Sequence, residues 1–270
     1  MERLINIDRR IIFVFIFFGT LVPLLYPTPF PIEPSKEVRS TYEEFERVAK
    51  LNDPAVLLSY SYGASTEPEI QPMVVAILRH CFANDIKVVG ICLWPEASGL
   101  AQPAMEAIAA EYGKTYGEDY AFMGYKPGLQ AVIINMGQNF HDAFPKDTRG
   151  TPVGEIALTS NINSLTDFDF IFDFASGDSI EYWWIPYGKR EVPFAGGCTA
   201  VMAPDLYPFL QSGQLKGLLG GLVGAAEYEA LIDHPESATA GMSAQSITHL
   251  IIIAFILFGN LAYFATRRGA

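Results

Sequence analysis

The chain of 270 residues is half hydrophobic and carries a formal net charge of −12. This acidic balance excludes binding of nucleic acid through a basic surface. The three cysteines exclude a disulfide scaffold, because an odd number cannot pair completely and their spacing is of neither disulfide-scaffold nor zinc type. We expect them to be buried, unreactive thiols.

An apolar segment lies near each end of the chain, over residues 11–32 and 246–265. A helix needs about 20 apolar residues to cross a bilayer, so we predict an N-terminal and a C-terminal transmembrane helix. A cleaved signal peptide is the alternative for the first segment, whose start is basic. No small-x-small cleavage site follows its apolar run, which favours an uncleaved anchor.

The basic residues outside these segments predict the orientation of the chain. They are Arg3, Arg9, Arg10, Arg267 and Arg268. By the positive-inside rule, residues 1–10 and 266–270 are short cytoplasmic tails. Two spans then place residues 33–245 on the other side of the membrane, as a periplasmic or outer-face domain of a cell (inner) membrane protein. Residues 1–26 carry a net charge of +1, and residues 246–270 carry +2. The region between them therefore carries −15, which gives the total of −12.

Strand and helix patterns alternate through this middle region. The predicted strands are Ala55–Tyr62, Ile86–Trp94, Tyr120–Tyr125, Gln130–Met136, Phe168–Ser176 and Val192–Thr199. The predicted helices are Thr41–Leu51, Glu67–Phe82, Gly99–Thr115, Asp178–Tyr187 and most of Pro204–Ile232. An extended linker is predicted over residues 27–40 and a long loop over Phe140–Thr166. Near-continuous apolar strands that alternate with helices predict an α/β, Rossmann-like domain with a doubly wound, mainly parallel sheet.

The ends of the predicted strands suit a polar ligand. In an open parallel sheet, ligands bind at the carboxyl ends of the strands, near the point where the strand order reverses. The candidate ligand-binding residues there are Ser61, Tyr62, Glu96, Gln138, Asp178 and Thr199. Ordinary turn chemistry is the alternative, because strand ends in most such folds carry Gly, Pro and Asp.

One pair of residues suggests nucleophilic catalysis. His141 lies 57 positions before Cys198 in the sequence. Some α/β cysteine proteases have their catalytic histidine about 50 residues before the catalytic cysteine. A thiolate needs such a base or a cationic neighbour. Cys198 lies within an apolar strand pattern, however, which favours a packed structural cysteine.

The remaining chemistry-bearing residues predict neither a metal site nor a cofactor. The histidines lack metal-ligand spacing, and His80, which follows Arg79 on a helix, is predicted to be solvated. No phosphate-binding glycine motif is present. Asp169 and Asp173 alternate with phenylalanines, which favours an edge strand with one wet face; a functional carboxylate at Asp173 is the alternative.

A glycine-rich segment and an aromatic segment are the candidate interfaces. Glycines spaced four apart would share one face of a helix: Gly213, Gly217, Gly220, Gly221 and Gly224. Close packing against a partner would offset their cost of about 1 kcal/mol each, and packing within the domain is the alternative. Trp183 and Trp184 are candidate anchors for a partner or a lipid surface, with a core position for one of them as the alternative.

Together these features predict a membrane-anchored extracytoplasmic α/β domain that acts as a structural or assembly subunit of a membrane protein complex. Its expected partners are the lipid bilayer and either copies of itself, as a homo-oligomer, or other membrane proteins. A second hypothesis is a sensor or capture module that binds a small molecule at the strand ends. A third is a cysteine hydrolase, although the pattern favours a protein that is not an enzyme.

Overall fold

A computed structural model describes residues 8–26, 33–189 and 191–267. They form two compact units. One is the domain Glu33–His234, and the other combines the segments that precede and follow it. Arg3 and Arg268, on which the predicted orientation partly depends, lie outside the described residues, as does the part of the predicted linker at 27–32.

The domain is built on a six-stranded sheet in which every neighbouring pair is parallel. The strands are β1 (Ala55–Ser61), β2 (Lys87–Cys92), β3 (Tyr120–Tyr125), β4 (Phe170–Ala175), β5 (Phe194–Cys198) and β6 (Leu218–Gly220). Their order is β3-β2-β1-β4-β5-β6. The chain therefore builds outward from β1 in one direction and from β4 in the other, and the switch point lies between these two central strands.

Helices flank this sheet, which confirms the predicted α/β class with a mainly parallel sheet. Those of the domain are α2 (Lys36–Val48), α3 (Glu67–Ala83), α4 (Ser98–Glu111), α5 (Gln130–Gln138), α6 (Phe140–Ala143), α7 (Ile185–Tyr187), α8 (Ala203–Gln211) and α9 (Gly221–Leu231). A π-helical segment, Ser179–Trp184, precedes α7. The predicted loop Phe140–Thr166 contains α6, the short 3-10 turn Val153–Glu155 and the start of another, Leu165–Asp167, besides irregular chain.

The first helix of the domain begins earlier than predicted. It starts at Lys36 with Ser35 as its N-cap, rather than near Thr41. The Glu227 carboxylate accepts hydrogen bonds from the Ser35 backbone N–H and hydroxyl at 2.9 and 2.6 Å. This tertiary contact holds the N-terminus of α2, and no local pattern indicates it.

The predicted strand Gln130–Met136 is wrong, because these residues begin helix α5. Val132, Ile133 and Met136 are spaced to lie on one helical face, and all three are buried in the apolar core. The run of β-branched residues resembles a buried strand, but its burial follows the helical period.

The predicted edge position of the strand with Asp173 is also wrong. β4 pairs with β1 on one side and with β5 on the other, so it is a central strand. Asp173 is fully buried. Asp169 lies just before the strand, where its carboxylate accepts a hydrogen bond from the Ala55 backbone N–H at 3.0 Å.

The glycine-rich segment does not form the predicted helix face. Gly213 lies in a turn after α8, Gly217 precedes β6, and Gly220 is the last residue of that strand. Gly221 begins α9 with a positive φ of 62°, and only Gly224 lies inside that helix. The five glycines therefore have separate structural roles and do not stack on one helix.

The second unit contains α1 (Arg9–Leu25) and α10 (Ser237–Arg267). In the part of the chain that the structure describes, one helix is both long and apolar enough to cross a membrane, over Ser237–Phe264 of α10. The first predicted span corresponds to α1, which has 17 residues and is not a second such helix.

The two helices of this unit pack antiparallel. The hydroxyls of Thr20 and Thr248 are 2.9 Å apart, and the rings of Phe15 and Phe255 meet with their centroids 5.7 Å apart. The numbers of the contacting residues rise along one helix as they fall along the other. The beginning of α1 therefore lies beside the end of α10.

Candidate functional site

The switch point brings the ends of β1 and β4 together at the carboxyl edge of the sheet. Ser61 is in register with Ala175, and the Ser176 N–H donates to the Ser61 carbonyl at 3.0 Å. Past these residues β1 continues into Gly63, and β4 continues into Gly177 and Asp178. In open parallel sheets, ligands bind at the point where the strand order reverses, and we call this edge the crevice.

A buried carboxylate fixes the geometry beneath the crevice. Asp173 accepts hydrogen bonds from the Ser61 hydroxyl at 3.0 Å and from the Ser179 hydroxyl at 2.5 Å. Burial raises the pKa of Asp173 to about 6, and hydrogen bonds from neighbouring side chains, Ser179 first, oppose that rise. The carboxylate thus ties β1 to the first turn of the π-helical segment, and it positions the intervening loop that carries Asp178.

The turn after β2 forms the wall of the crevice. The Glu96 carboxylate lies directly against Gly63, so that a Cβ there would overlap it. The Trp94 indole lies against Gly177, where a Cβ would come within 2.6 Å of its ring. Glycine at both positions lets the turn reach across the ends of β1 and β4. Glu96 is exposed and Trp94 is half-buried.

The charge around the crevice disfavours anionic ligands. The first turn of α3 carries Glu67 and Glu69, and Pro68 removes one N–H donor. Glu69 accepts a hydrogen bond from the Ala200 backbone N–H at 2.7 Å. A phosphate site at a helix N-terminus needs free N–H groups and favours positive charge nearby, whereas this edge also carries the carboxylate of Glu96. The arrangement suits a neutral or cationic polar ligand.

The predicted ligand-binding residues divide into three groups. Glu96 and Asp178 are exposed at the crevice. Ser61, Tyr62 and Thr199 are buried, and the Tyr62 hydroxyl donates to Gln71 at 2.5 Å, so these three support the edge from within.

Gln138 is not at a strand end, because the strand predicted before it is helix α5. It is the last residue of that helix. Its neighbour Gly137 contacts the Lys189 side chain. Lys189 lines a cavity together with Ile171 and Phe194, which lie at the amino ends of β4 and β5. Gln138 therefore belongs to the opposite edge of the sheet.

Cys198 and His141 do not form the predicted catalytic pair. Burial raises the pKa of Cys198 to about 12, and the nearby Glu69 adds to the rise. The His141 imidazole instead lies 3.0 Å from the Thr159 carbonyl, through Nε2. A thiol held protonated and without this base lacks what a cysteine nucleophile requires.

The two tryptophans of the aromatic segment are both buried in the domain core. Trp184 stacks on Phe194 with ring centroids 5.7 Å apart. The segment turns Tyr182, and not the indoles, toward the surface. Neither indole is exposed as the predicted interface anchor would be.

Sequence reasoning missed a cluster around His80, which is buried rather than solvated. Its Nδ1 lies 2.7 Å from the Tyr228 hydroxyl. The spacing of Met73, Ile77 and His80 on α3 follows one helical face and was the available signal. Among the described residues, no group of three or more His, Cys, Asp or Glu side chains is placed to hold a metal ion.

In comparisons with known proteins, no family model, no curated protein and no solved structure matches this chain.

Proposed function

We propose that this protein is a membrane-anchored α/β domain that captures a small, polar, non-anionic ligand at the switch point of its sheet. The observation that carries the proposal is the reversal of strand order between β1 and β4, with exposed Glu96 and Asp178 after β2 and β4, the two strands that flank β1. The strand order is the one used by doubly wound dinucleotide-binding domains, although the carboxylates at this edge argue against a nucleotide.

A thermal-shift assay on the detergent-solubilised chain tests the proposal. A ligand that binds the folded state at 100 times its Kd stabilises it by about 2.7 kcal/mol. Neutral and cationic metabolites, such as sugars, amino acids and amines, are expected to include at least one that raises the Tm. Nucleotides are expected to leave it unchanged. A panel in which only anions stabilise the protein contradicts the proposal.

Variants assign any such ligand to the crevice. Glu96→Gln and Trp94→Ala are expected to reduce the Tm shift, because they change the wall between the two strand ends. Glu118→Gln is the matched control, since it removes the same charge from an exposed position just before β3. Equal ligand shifts in all three variants and the unaltered protein would place the ligand elsewhere.

An assembly function is the second candidate, and an exposed apolar surface favours it. Val201 is 84% exposed, and Tyr207 and Val223 are each 45% exposed. Tyr207 and Val223 line one cavity together with Ala200, the neighbour of Val201. Clustered exposed apolar groups are typical of contact surfaces. We therefore propose this surface as the interface, instead of the glycine-rich segment and the two tryptophans.

The size of the solubilised particle tests this second function. We expect the particle to be heavier than one chain or to contain a co-purifying membrane protein. Replacement of Val201 by Glu is expected to reduce the particle to a single chain without the partner. Leu51→Glu is the control, because Leu51 is exposed at a separate place. A monomer at every concentration, with nothing co-purified, eliminates the assembly function.

For the membrane, we propose that α1 crosses beside α10 and that both ends of the chain are cytoplasmic. Antiparallel packing supports this, because it brings Arg9 and Arg10 to the same end of the pair as Arg267. Phe13 and Phe17 on α1 are exposed in the unit, which suits contact with lipid. The hydroxyl pair Thr20–Thr248 satisfies polar groups within an apolar contact.

Cysteine labelling from outside the cell tests this topology. Ser160→Cys places a thiol on the exposed surface of the domain, and Asp8→Cys places one before α1. A membrane-impermeant maleimide is expected to label intact cells carrying the first variant but not the second. The opposite pattern, or labelling of both, contradicts the topology.

A further inference from the structure

Another cavity of the domain lies away from the switch point and is lined by helix ends and the turns that follow them. Its volume is about 300 Å³, and its lining includes Tyr42, Glu46, His80, Tyr112 and Asp233. It is bordered by the carboxyl ends of α3, α4 and α9. Because β2 begins four residues after α3 ends, this cavity is at the amino edge of the sheet.

His80 supplies a buried polar atom that faces this cavity. The side chain is almost fully buried, and its Nδ1 lies 2.7 Å from the Tyr228 hydroxyl. Its Nε2 lies 3.3 Å from the Glu46 carboxylate but falls short of hydrogen-bond geometry. Burial lowers the pKa of His80, and Glu46 opposes that change. In a neutral imidazole one nitrogen donates and the other accepts, so the tautomer that donates from Nδ1 to Tyr228 leaves Nε2 as the acceptor.

The charge of the cavity selects the ligand class. Arg79 is paired with Glu111 at 2.9 Å and lies 3.4 Å from the His234 imidazole. The lining also holds the carboxylates of Glu46 and Asp233, and among the described residues it includes no lysine and no second arginine. Three helix carboxyl ends add partial negative charge. An anion is disfavoured, and a cation is favoured.

The aromatic lining indicates an organic cation rather than a metal ion. Tyr42 and Tyr112 line the cavity, and the centroid of the Tyr42 ring lies 4.9 Å from that of His80. Aromatic faces attract ammonium groups. Metal ions need several ligating side chains, and the described residues provide no such group here.

We propose that this cavity binds a small primary ammonium compound. Glu46 is its counter-ion, His80 Nε2 accepts a hydrogen bond from its N–H, and Tyr42 and Tyr112 enclose its carbon chain. Asp233 at the rim attracts a second ammonium in a diamine. The site is separate from the switch-point crevice and does not depend on the function proposed there.

Titration calorimetry with putrescine tests this site on the full chain in a neutral detergent at constant ionic strength. Its uncharged analogue 1,4-butanediol is the ligand control. We expect saturable binding of putrescine and no measurable binding of the diol. Equal binding of both compounds, or no heat from either at millimolar concentration, overturns the proposal.

Matched variants separate the site from general attraction to an acidic protein. Glu46→Gln is expected to weaken putrescine binding about tenfold or more, because it removes a charged hydrogen-bond partner. Glu43→Gln removes the same charge from an exposed position on the same helix, and it is expected to change the affinity by less than about twofold. Equal effects of the two variants overturn the proposal.

Asp233→Asn provides a second test at an exposed residue, whereas Glu46 is half-buried and its replacement also affects the fold. Asp233 is exposed and has a positive φ of 53°, a conformation that Asn also adopts readily. We expect this variant to keep its Tm and to weaken putrescine several-fold. Full affinity in both Asp233→Asn and Glu46→Gln overturns the site.

Discussion

Asp173 shows how the surroundings of a single residue depend on distant parts of the chain. Its alternation with phenylalanines predicts a strand, and the strand is present. Whether that strand is central depends on β1 and β5, which pair with it from distant sequence positions. Local periodicity therefore predicted the strand correctly but placed it wrongly at an edge of the sheet. It also left open whether this carboxylate is buried.

The buried carboxylate predicts an unusual dependence of stability on pH. Asp173 has a pKa of about 6 in the folded protein against 3.8 ordinarily. The unfolded chain thus loses this proton first, so the free energy of unfolding falls as pH rises from about 4 to 6 and then levels. Because a tenfold change in an acid dissociation constant corresponds to about 1.4 kcal/mol, the fall is on the order of 3 kcal/mol.

Urea unfolding of Asp173→Asn and the unaltered protein between pH 4 and 7 measures this effect. The difference between their free energies of unfolding is expected to change over that window and to be constant above it. A difference that is independent of pH would contradict a raised pKa at this position.

The three thiols are expected to be inert in the folded protein. Burial raises the pKa of Cys92 and of Cys198 to about 12 and raises that of Cys81 as well. At pH 8 a thiol-disulfide reagent should therefore label none of them, while the denatured chain releases three equivalents. Rapid labelling of Cys198 in the native state would revive the hydrolase hypothesis.

At the scale of elements, tertiary packing determines whether a segment with an ambiguous sequence pattern forms a helix or a strand. β1 and β2 are near-continuous apolar runs, and these strands and the helices α3 and α4 were predicted close to their observed bounds. β6 has only three residues, too few for a pattern, so the glycines in and around it were predicted to lie on one helix. Helix α5 contains a β-branched run that resembles a strand, and only the helical spacing of its buried residues distinguishes the two.

Substitutions at Gly217 and Gly213 test whether these two glycines of the glycine-rich segment have separate structural roles. A Cβ at Gly217 would come within 2.6 Å of the Thr41 backbone nitrogen, whereas one at Gly213 meets open space. Gly217→Ala is expected to cost up to about 3 kcal/mol of stability. Gly213→Ala should cost about 1 kcal/mol, from its positive φ alone. Chemical unfolding measures both, and equal losses would refute this assignment.

The contact between α1 and α10 is expected to depend on Gly19. A Cβ there would overlap the Ile251 side chain, whereas Gly259 on α10 faces open space. Cysteines in place of Thr20 and Thr248 should cross-link on mild oxidation. Gly19→Leu should lower the yield of that disulfide, and Gly259→Leu should leave it unchanged. A yield unaffected by Gly19→Leu would contradict the observed packing.

For the whole molecule, alternation of strands and helices predicted the class of the fold but not the strand order. The order depends on which strands pair, and the central pairing of β1 with β4 joins residues more than 100 positions apart, such as Ser61 and Ala175. Sequence reasoning therefore could not locate the switch point between β1 and β4, although it placed Glu96 and Asp178 at the ends of strands.

The domain Glu33–His234 is expected to fold without the terminal helices. It is a compact unit with its own sheet and core, while the apolar side chains of α1 and α10 account for most of the exposed large hydrophobic groups. A chain of residues 33–234 should stay in solution without detergent and unfold cooperatively in urea. Aggregation of this fragment would show that the helices are needed for its fold.

The antiparallel contact of α1 with α10 also governs how fusion partners would behave. Halves of a split fluorescent protein attached before Arg9 and after Arg267 would emerge side by side from one molecule. They would reassemble in cis, giving a signal in proportion to expression and insensitive to dilution among unlabelled copies.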